Sequence, residues 1–274
     1  MPIEEEKRQE QFLLLLLALA RASERKVTDG VRRRLVTAMR KIRRLVQQMS
    51  PTGQFRVFEW SRIKPQVLPL LEEITRTLRF YLLPEIQRLI PDVQDAAFDF
   101  VKGDEPETAE LRPKTQEQIA NTTTAGGTAT LATLLGAAAI NRYTLQMAKD
   151  LDTLVKKAIF LDESTQEISD KIIKMTTRRG QPAAQIHTGS FANQMWNRAR
   201  ATTAGAIWSA TSTTMQEQWL GIDAKRWVWN ALLDPRTCPL CRPRDGQIVA
   251  TPFLFNGLPP LHPNCRCAVL PVLG

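Results

Sequence analysis

Histidine is scarce in this chain, since only His187 and His262 occur among its 274 residues. The scarcity argues against a metalloenzyme built on several histidines and leaves few general bases for catalysis. No glutamate follows Trp219. The sequence also contains no Ser-His-Asp or Cys-His arrangement and no glycine-rich phosphate loop. These absences predict a protein that is not an enzyme and has no small-molecule substrate.

Long hydrophobic runs are missing as well. The apolar run at 12–20 has nine residues, whereas a helix needs about 20 to cross a bilayer. The run has the apolar core of a signal peptide, but four glutamates precede it against Lys7 and Arg8, which is the wrong charge for a leader. The start of a buried helix is the favoured interpretation. The uncharged stretch at 121–141, rich in Thr, Ala and Gly, predicts a closely packed helix of small residues.

The positive charge is concentrated in one segment. The chain has 37 basic and 28 acidic residues, a net charge of +9, and residues 21–50 hold ten basic and two acidic ones, a net +8. Apolar residues from Val31 to Met49 recur at helical spacing, so the basic residues belong to an amphipathic helix with its apolar stripe buried. Two interpretations of the exposed face stay open: a solvated surface, or a surface that contacts DNA phosphates or carboxylates. The candidate DNA-binding residues are Arg32, Arg33, Arg34, Arg40, Lys41, Arg43 and Arg44.

Most of the chain is predicted to be helical, in four regions. Residues 1–102 form a basic helical region in which Pro65, Pro69, Pro84 and Pro91 should kink or divide the second helix. A polar linker is expected at 103–127. A central helical region covers 128–220, with helices at about 128–160 and 163–179 and a third helix capped by Ser190. Residues 221–274 form a small cap that contains strands and all four cysteines.

The predicted fold class is therefore mainly α, with elongated helical N-terminal and central regions and a small C-terminal α+β cap stabilised by a zinc-like Cys/His cluster. In the cap, the segment at 225–229 predicts a strand with both of its tryptophans on one face. Short apolar pieces at 247–249 and 268–270 complete the strands of the cap.

The cap holds the one group of residues with recognisable chemistry. Its cysteines and histidine form two clusters, Cys238-x-x-Cys241 and His262-x-x-Cys265-x-Cys267. A C-x-x-C turn places two sulfurs on one side of a tight bend, and a second knuckle can supply the remaining ligands of a tetrahedral metal. The pattern predicts one structural zinc held by four of these five residues.

Other interpretations of the cysteines compete with zinc. Two disulfides would require an oxidising compartment, for which no export signal is evident. The cysteines could also be small buried apolar side chains without a metal. A catalytic zinc would need an open coordination position and a nearby base. A nuclease of the His–Asn–His type would need a catalytic histidine besides the ligands, and the only other one, His187, is interpreted as a loop or cap residue.

The C-terminal motifs resemble those of a known family. They occur in the order of a tryptophan strand, an Asp-x-Arg-x-Cys-x-x-Cys turn, an Asp-Gly-x-x-Val strand and a Pro-Pro-x-His-Pro-Asn-Cys-Arg-Cys segment. In this chain these motifs are Trp227–Trp229, Asp234–Cys241, Asp245–Val249 and Pro259–Cys267. The combination resembles the phage Mu protein F-like minor head proteins of the phage head morphogenesis family. An upstream segment, 197–203, resembles the Arg-Thr helix of that family but lacks the usual acidic residue after the threonine.

The resemblance covers about 190–273 and implies a minor protein of the phage capsid interior, made in the host cytoplasm and recruited through the portal. Members of the family are variously assigned to head assembly, DNA packaging or DNA ejection. The expected partners are the portal protein, packaged DNA through the basic helix, and scaffold or major capsid protein. The alternative function is a zinc-containing DNA-binding or nuclease protein. The first 120 residues match no motif of the family.

Overall fold

The structure is a computed structural model, and it confirms a mainly helical protein with a small three-stranded C-terminal sheet. The residues it describes are 3–49, 53–102, 127–173, 175–176, 185–186, 190–219, 224–231, 233, 237–259, 261 and 265–272. The predicted linker at 103–127 lies almost entirely outside them, as do His187 and His262. None of the described helices is long and apolar enough to cross a membrane.

The described residues form five helices. Their bounds are α1 Ile3–Met49, α2 Val57–Lys102, α3 Gly127–Phe160, α4 Thr165–Ile172 and α5 Phe191–Trp219. Two short strands, β1 Met175–Thr176 and β2 Gln185–Ile186, pair antiparallel between α4 and α5. The cap contains β3 Trp227–Ala231, β4 Ile248–Val249 and β5 Cys267–Pro271.

The first helix is one continuous element that includes both the apolar run and the basic segment. On its second half, the stripe predicted from the sequence is buried from Val31 to Val46, with at most 1% of any of its members exposed. Its first half buries Phe12, Leu13, Leu16 and Leu17 and leaves Leu14 and Leu15 about half exposed. The favoured interpretation of the apolar run as part of a buried helix is therefore confirmed.

The second helix continues through its four prolines, so of the two outcomes that the sequence predicted, a kink or a division, the division does not occur. At 100° per residue, the prolines fall within an arc of about 100°, and all four are exposed. Each proline removes one backbone hydrogen bond to the carbonyl four residues earlier. Because that side of α2 faces solvent, water can satisfy those carbonyls, while the opposite side of the helix stays buried.

The predicted helix at 163–179 is shorter than expected. Ser164 caps α4 through a capping box with Glu167, and the helix ends at Ile172 because Ile173 is extended. The chain then forms β1, whose Met175 pairs with Ile186 of β2. Helical periodicity therefore gave the wrong state at Met175 and Thr176, where pairing with a later segment determines the structure.

The chain divides into two compact units, each assembled from distant parts of the sequence. Unit 1 contains Met1–Arg25, Leu82–Ala137 and Thr203–Gly274, and unit 2 contains Lys26–Tyr81 and Ala138–Thr202. Unit 2 has 23 lysines and arginines against 10 aspartates and glutamates, a net charge of +13, whereas unit 1 has 14 against 18, a net charge of −4. Folding therefore gathers basic residues from several helices into unit 2.

In unit 2 the long helices pack in the cyclic order α1, α2, α3, α5. Four contacts define the order, one for each pair of neighbours. Arg34 pairs with Glu73 between α1 and α2, Thr75 hydrogen-bonds Thr144 between α2 and α3, the Tyr143 hydroxyl donates to the Met195 carbonyl between α3 and α5, and Arg32 lies over the Trp196 ring between α1 and α5. The α4 helix packs beside α1 through Arg43 and Asp170. The apolar stripe of α1 faces the interior of this bundle.

In unit 1 an aromatic cluster joins three helices. Phe12 of α1 stacks on Phe100 of α2 with ring centroids 4.6 Å apart, and Trp219 of α5 meets both rings edge-on at 6.1 and 6.0 Å. Arg8 lies over the Phe100 ring and donates to the Phe100 carbonyl. The cluster fixes the end of α5, from which the chain enters the cap.

Candidate metal centre

The three-stranded sheet of the cap determines where the cysteines meet. Its strand order is β4-β3-β5, and both pairs of neighbours are antiparallel. The last residue of β3, Ala231, pairs with Cys267, the first residue of β5. The segment that follows β3 and the segment that precedes β5 therefore start from the same end of the sheet. The first segment carries Cys238 and Cys241 and the second carries Cys265.

A tight turn forms the first knuckle. The backbone N–H groups of Cys241 and Arg242 both donate to the Cys238 carbonyl at 3.1 Å, so the chain reverses within the C-x-x-C motif. Cys241 then caps a short 3₁₀ turn, Arg242–Arg244. Cys241 is buried, whereas Cys238 is half-buried.

An extended segment supplies the second knuckle. Side chains two residues apart on an extended chain point to the same side, and Cys265 and Cys267 have this spacing. Both are buried, like Cys241, and all three expose 2% or less of their surface. The residue between them, Arg266, is only half-buried.

The three buried sulfurs have the geometry of a metal site. The Sγ atoms of Cys241, Cys265 and Cys267 all lie within 4.8 Å of one another. The Cys241 and Cys265 sulfurs are 3.8 Å apart. Tetrahedral zinc with bonds of about 2.3 Å to sulfur requires an S–S separation of about 3.8 Å. The cluster can therefore hold a metal ion without rearrangement of this pair.

The electrostatics of the cluster favour a cation. Burial raises the pKa of the Cys241 thiol to about 12, and the hydrogen bond with Cys265 raises the pKa of Cys267. The same hydrogen bond from Cys267 lowers the pKa of Cys265 to about 5. One thiolate is thus stabilised at the expense of its neighbours, because a second buried negative charge would lie beside the first. A divalent cation removes this conflict and allows all three sulfurs to ionise.

The Asp245-Gly246 motif, which follows the C-x-x-C turn, hydrogen-bonds to β3. The Asp245 carboxylate accepts a 2.7 Å hydrogen bond from the Ala231 N–H, where β3 ends. Gly246 adopts a φ of +74°, a conformation that a side chain would strain, and donates to the Trp229 carbonyl at 2.8 Å. Asp245 and Gly246 therefore connect the C-x-x-C turn to β3 through two hydrogen bonds.

The contacts of Trp229 with Arg244 and Phe255 were not predicted from the sequence. The Arg244 guanidinium lies 5.0 Å from the centre of the Trp229 ring and donates to the Asn256 carbonyl at 2.8 Å. Phe255 meets the same ring edge-on at 5.5 Å. Trp229 is fully buried. One arginine therefore connects the cysteine turn to the core of the cap.

The structure brings together three of the five predicted ligands. Cys241, Cys265 and Cys267 form the buried cluster, and a side-chain hydrogen bond links Cys238 to Cys241. The fifth candidate, His262, lies outside the described residues. The sulfurs present suit zinc, which prefers thiolate and imidazole ligands. The choice of the four ligands stays a prediction.

The candidate DNA-binding residues lie on α1 of unit 2. Arg32, Arg33, Arg34, Arg40, Lys41 and Arg44 are exposed and Arg43 is half-buried. Arg34 pairs with Glu73 and Arg43 with Asp170, both at 3.5 Å. At 100° per residue, Arg33, Arg40 and Arg44 fall within an arc of about 40°. These three form one exposed basic stripe about 16 Å long.

Comparison with known proteins identifies the C-terminal part of the chain. No curated protein and no solved structure matches the chain. Residues 149–270 match the model of the family described as "Phage Mu protein F like protein". The match begins in α3, includes α4 and α5, and ends in β5 with the cysteine cluster. The family suggests a phage head morphogenesis protein, a virion component that interacts with other head proteins, and it is structural rather than enzymatic. The match over residues 149–270 therefore supports a phage Mu protein F-like protein.

Proposed function

We propose that the protein is a minor head protein of the phage capsid interior, bound to the portal and acting in head assembly, DNA packaging or DNA ejection. The observation that carries the proposal is the family match over 149–270. Portal, scaffold and major capsid protein are the partners that this role implies. The protein needs no catalytic turnover for this role.

The cap supports a structural role because its cluster is closed to solvent. We propose that four of Cys238, Cys241, His262, Cys265 and Cys267 hold one zinc ion. The three buried sulfurs expose 2% or less of their surface, so an ion among them would have protein ligands on most sides and little room for substrate. When bound, zinc would supply a positive charge that fixes four ligands in place. The site would therefore stabilise the folded cap and would not catalyse a reaction.

The basic stripe of α1 supports contact with packaged DNA. Arg33, Arg40 and Arg44 are exposed, and Arg33 and Arg44 pair with no carboxylate among the described residues. The net charge of unit 2, +13, adds a long-range attraction for phosphate. Binding of this kind is nonspecific in sequence and weakens steeply with salt.

The DNA contact is tested by the salt dependence of duplex binding. Arg33, Arg40 and Arg44 are changed together to Gln. The affinity for duplex DNA is then measured at salt concentrations between about 50 and 200 mM, over which electrostatic screening increases. The slope of log affinity against log salt should fall by up to about 3, at about 0.9 per phosphate contact. Arg21→Gln, on the same helix within unit 1, is the matched control. An unchanged slope in the triple variant would exclude this surface.

The placement in the head is tested by isolating proheads and virions. The protein should co-purify with the portal, resist protease in intact heads and become sensitive once the heads are opened. Heads that contain a normal portal but lack this protein would overturn the proposal. Magnesium-dependent DNA cleavage that His262→Ala abolishes would support the nuclease alternative instead.

A further inference from the structure

The exposed apolar side chains of unit 2 are concentrated on two of its helices. Among the described residues, all of its large apolar side chains that are exposed lie on α2, on α3 or in the turn after α3. They are Val57, Phe58, Leu68, Phe80, Tyr81, Leu145, Phe160 and Leu161. Exposed apolar groups concentrated in this way mark interaction sites.

Contacts between α2 and α3 show which of these side chains share a surface. Trp60 and Lys64 contact Asp152, and Arg79 contacts Asn141, so the two helices run antiparallel. In this alignment Phe160 is level with the start of α2, because it lies two turns beyond Asp152. Leu145 is level with the middle of α2, because it follows Thr144, which contacts Thr75.

Helical geometry places Leu68 and Leu145 beside the line where α2 and α3 meet, on its solvent side. At 100° per residue, Leu68 lies about 30° from the mean direction of the α2 residues that contact α3, and Leu145 about 50° from the mean direction of the α3 residues that contact α2. Phe58 and Phe160 lie further outward, about 110° from these mean directions, at one end of the same line. We call this surface, formed by Phe58, Leu68, Leu145 and Phe160, the α2–α3 face. Phe80 points away from it, about 120° around α2 from Leu68.

The charges beside the α2–α3 face are mostly positive and unpaired. Arg76 of α2 and Lys149 of α3 are next to the face, and neither has a carboxylate partner among the described residues. Two neighbouring carboxylates are engaged, since Asp152 pairs with Lys64 and Lys156 at 2.9 and 2.8 Å and Asp150 pairs with Arg198. Glu72, between Leu68 and Arg76 on α2, is exposed and pairs with no basic side chain among the described residues. The face therefore combines apolar anchors with a surplus of positive charge.

We propose that the α2–α3 face binds a helix of another protein, apolar on one side and acidic along its flanks. A groove between two antiparallel helices accepts a third helix whose anchors recur every three or four residues. The face extends for about 22 Å, from Leu145 to Phe160, the length of some 15 helical residues. The acidic flanks are argued from Arg76 and Lys149, which an acidic partner would pair.

The proposed occupant differs from the ligand of the basic stripe. DNA would use the charges but leave Leu68 and Leu145 exposed to water, whereas an acidic amphipathic helix covers both. A second copy of unit 2 would bring +13 against +13 and is disfavoured by repulsion. The proposal rests on the proposed function only in locating the partner among the proteins of the phage head.

The test is site-specific photo-crosslinking in assembled heads. A photoreactive phenylalanine analogue replaces Leu145, and in a matched control it replaces Phe80, since these side chains are equally exposed at 74% and 72%. The analogue at 145 should crosslink to a helical segment of another head protein with net negative charge, at least tenfold more than the analogue at 80. Adding Lys149→Glu should reduce that crosslink severalfold, whereas adding Arg33→Glu on α1 should not.

Each other result overturns the proposal. Such results are equal crosslinking at both positions, no crosslink at 145, or a crosslink to DNA, to lipid, to a second copy or to 103–126 of the same chain. Insensitivity to Lys149→Glu would exclude the acidic partner. Absence of the protein from heads is a separate result, which contradicts the proposed function and is seen before any crosslinking. Circular dichroism of each purified variant, compared with the unsubstituted protein, shows that its helices are retained.

Discussion

Unit 2 and the cysteine cap keep their structures by different means. Unit 2 buries the apolar stripe of α1 from Val31 to Val46, and its helices pack around this stripe. The cap spans about fifty residues, with three short strands and two 3₁₀ turns. A segment this small rarely buries enough apolar surface to hold its own fold. We therefore expect the helices to be stabilised by packing and the cap to depend also on its cysteine cluster.

Loss of one cysteine should have the largest effect. Cys267→Ser removes a buried sulfur at the start of β5, and a structural zinc site can contribute on the order of 10 kcal/mol to local folding. We expect the cap to unfold while the helices persist. Limited proteolysis should cut within 224–272, and circular dichroism should show nearly unchanged helix content. Leu240→Ser, an exposed position between two of the cysteines, is the control and should leave the cap intact.

A core substitution in unit 2 should cost less and act on the helices instead. Ile42 of α1 is completely buried, so Ile42→Ala should lower the free energy of unfolding by about 2–5 kcal/mol. Denaturant titration followed by helical signal measures this change. The exposed Leu145→Ala is its control and should change stability by less than about 0.5 kcal/mol. Equal losses of stability in the two variants would mean that the buried stripe of α1 is not part of the core of unit 2.

These two regions also differ in how far the sequence determined them. The stripe of α1 follows from periodicity, because residues that must be buried recur every three or four positions. The strands of the cap and the tryptophan face were predicted from alternation and confirmed, with β3 displaced by two residues to Trp227–Ala231. Local signals failed where tertiary structure decides. The prolines of α2 do not divide it because they are exposed, and β1 replaces the end of a helix that periodicity predicted.

The candidate site was predictable in its residue types but not in its geometry. The C-x-x-C spacing identified Cys238 and Cys241 as one knuckle, and the spacing of His262, Cys265 and Cys267 identified the second. The pairing of Ala231 with Cys267, which brings the clusters to one end of the sheet, depends on strand register. The stacking of Arg244 on Trp229 has no sequence pattern. The division into two units was also hidden, because each unit draws on distant segments.

Acid should weaken unit 2 through one carboxylate. Burial opposes ionisation of Asp152, but hydrogen bonds from Lys156, Trp60 and Lys64 outweigh it and hold the pKa of Asp152 well below its usual range. The stabilisation is therefore complete above a pH of about 4 and is lost as the pH falls below that value. Asp152→Asn should cost about 1–2 kcal/mol at neutral pH. Its stability should also fall less than that of the unsubstituted protein between about pH 4 and pH 2, as measured by urea unfolding at each pH.

The smallest expected effect concerns a close contact within unit 2. A Cβ added at Gly30 of α1 would lie 2.5 Å from the Tyr81 ring, so Gly30→Ala must displace that ring. The cost should offset the gain in helix propensity of about 1 kcal/mol. In a Tyr81→Ala background the clash is absent, and Gly30→Ala should then stabilise the protein. A double-mutant cycle measured by thermal unfolding checks this change of sign.

The central claim, that the cap is held by one structural metal, is tested most directly by elemental analysis of the full-length protein purified without chelator. The account predicts close to one zinc per chain, retained through gel filtration. It also predicts that Cys267→Ser loses the zinc and that Leu240→Ser keeps it. A zinc content well below one per chain in a protein whose cap resists protease would contradict the account.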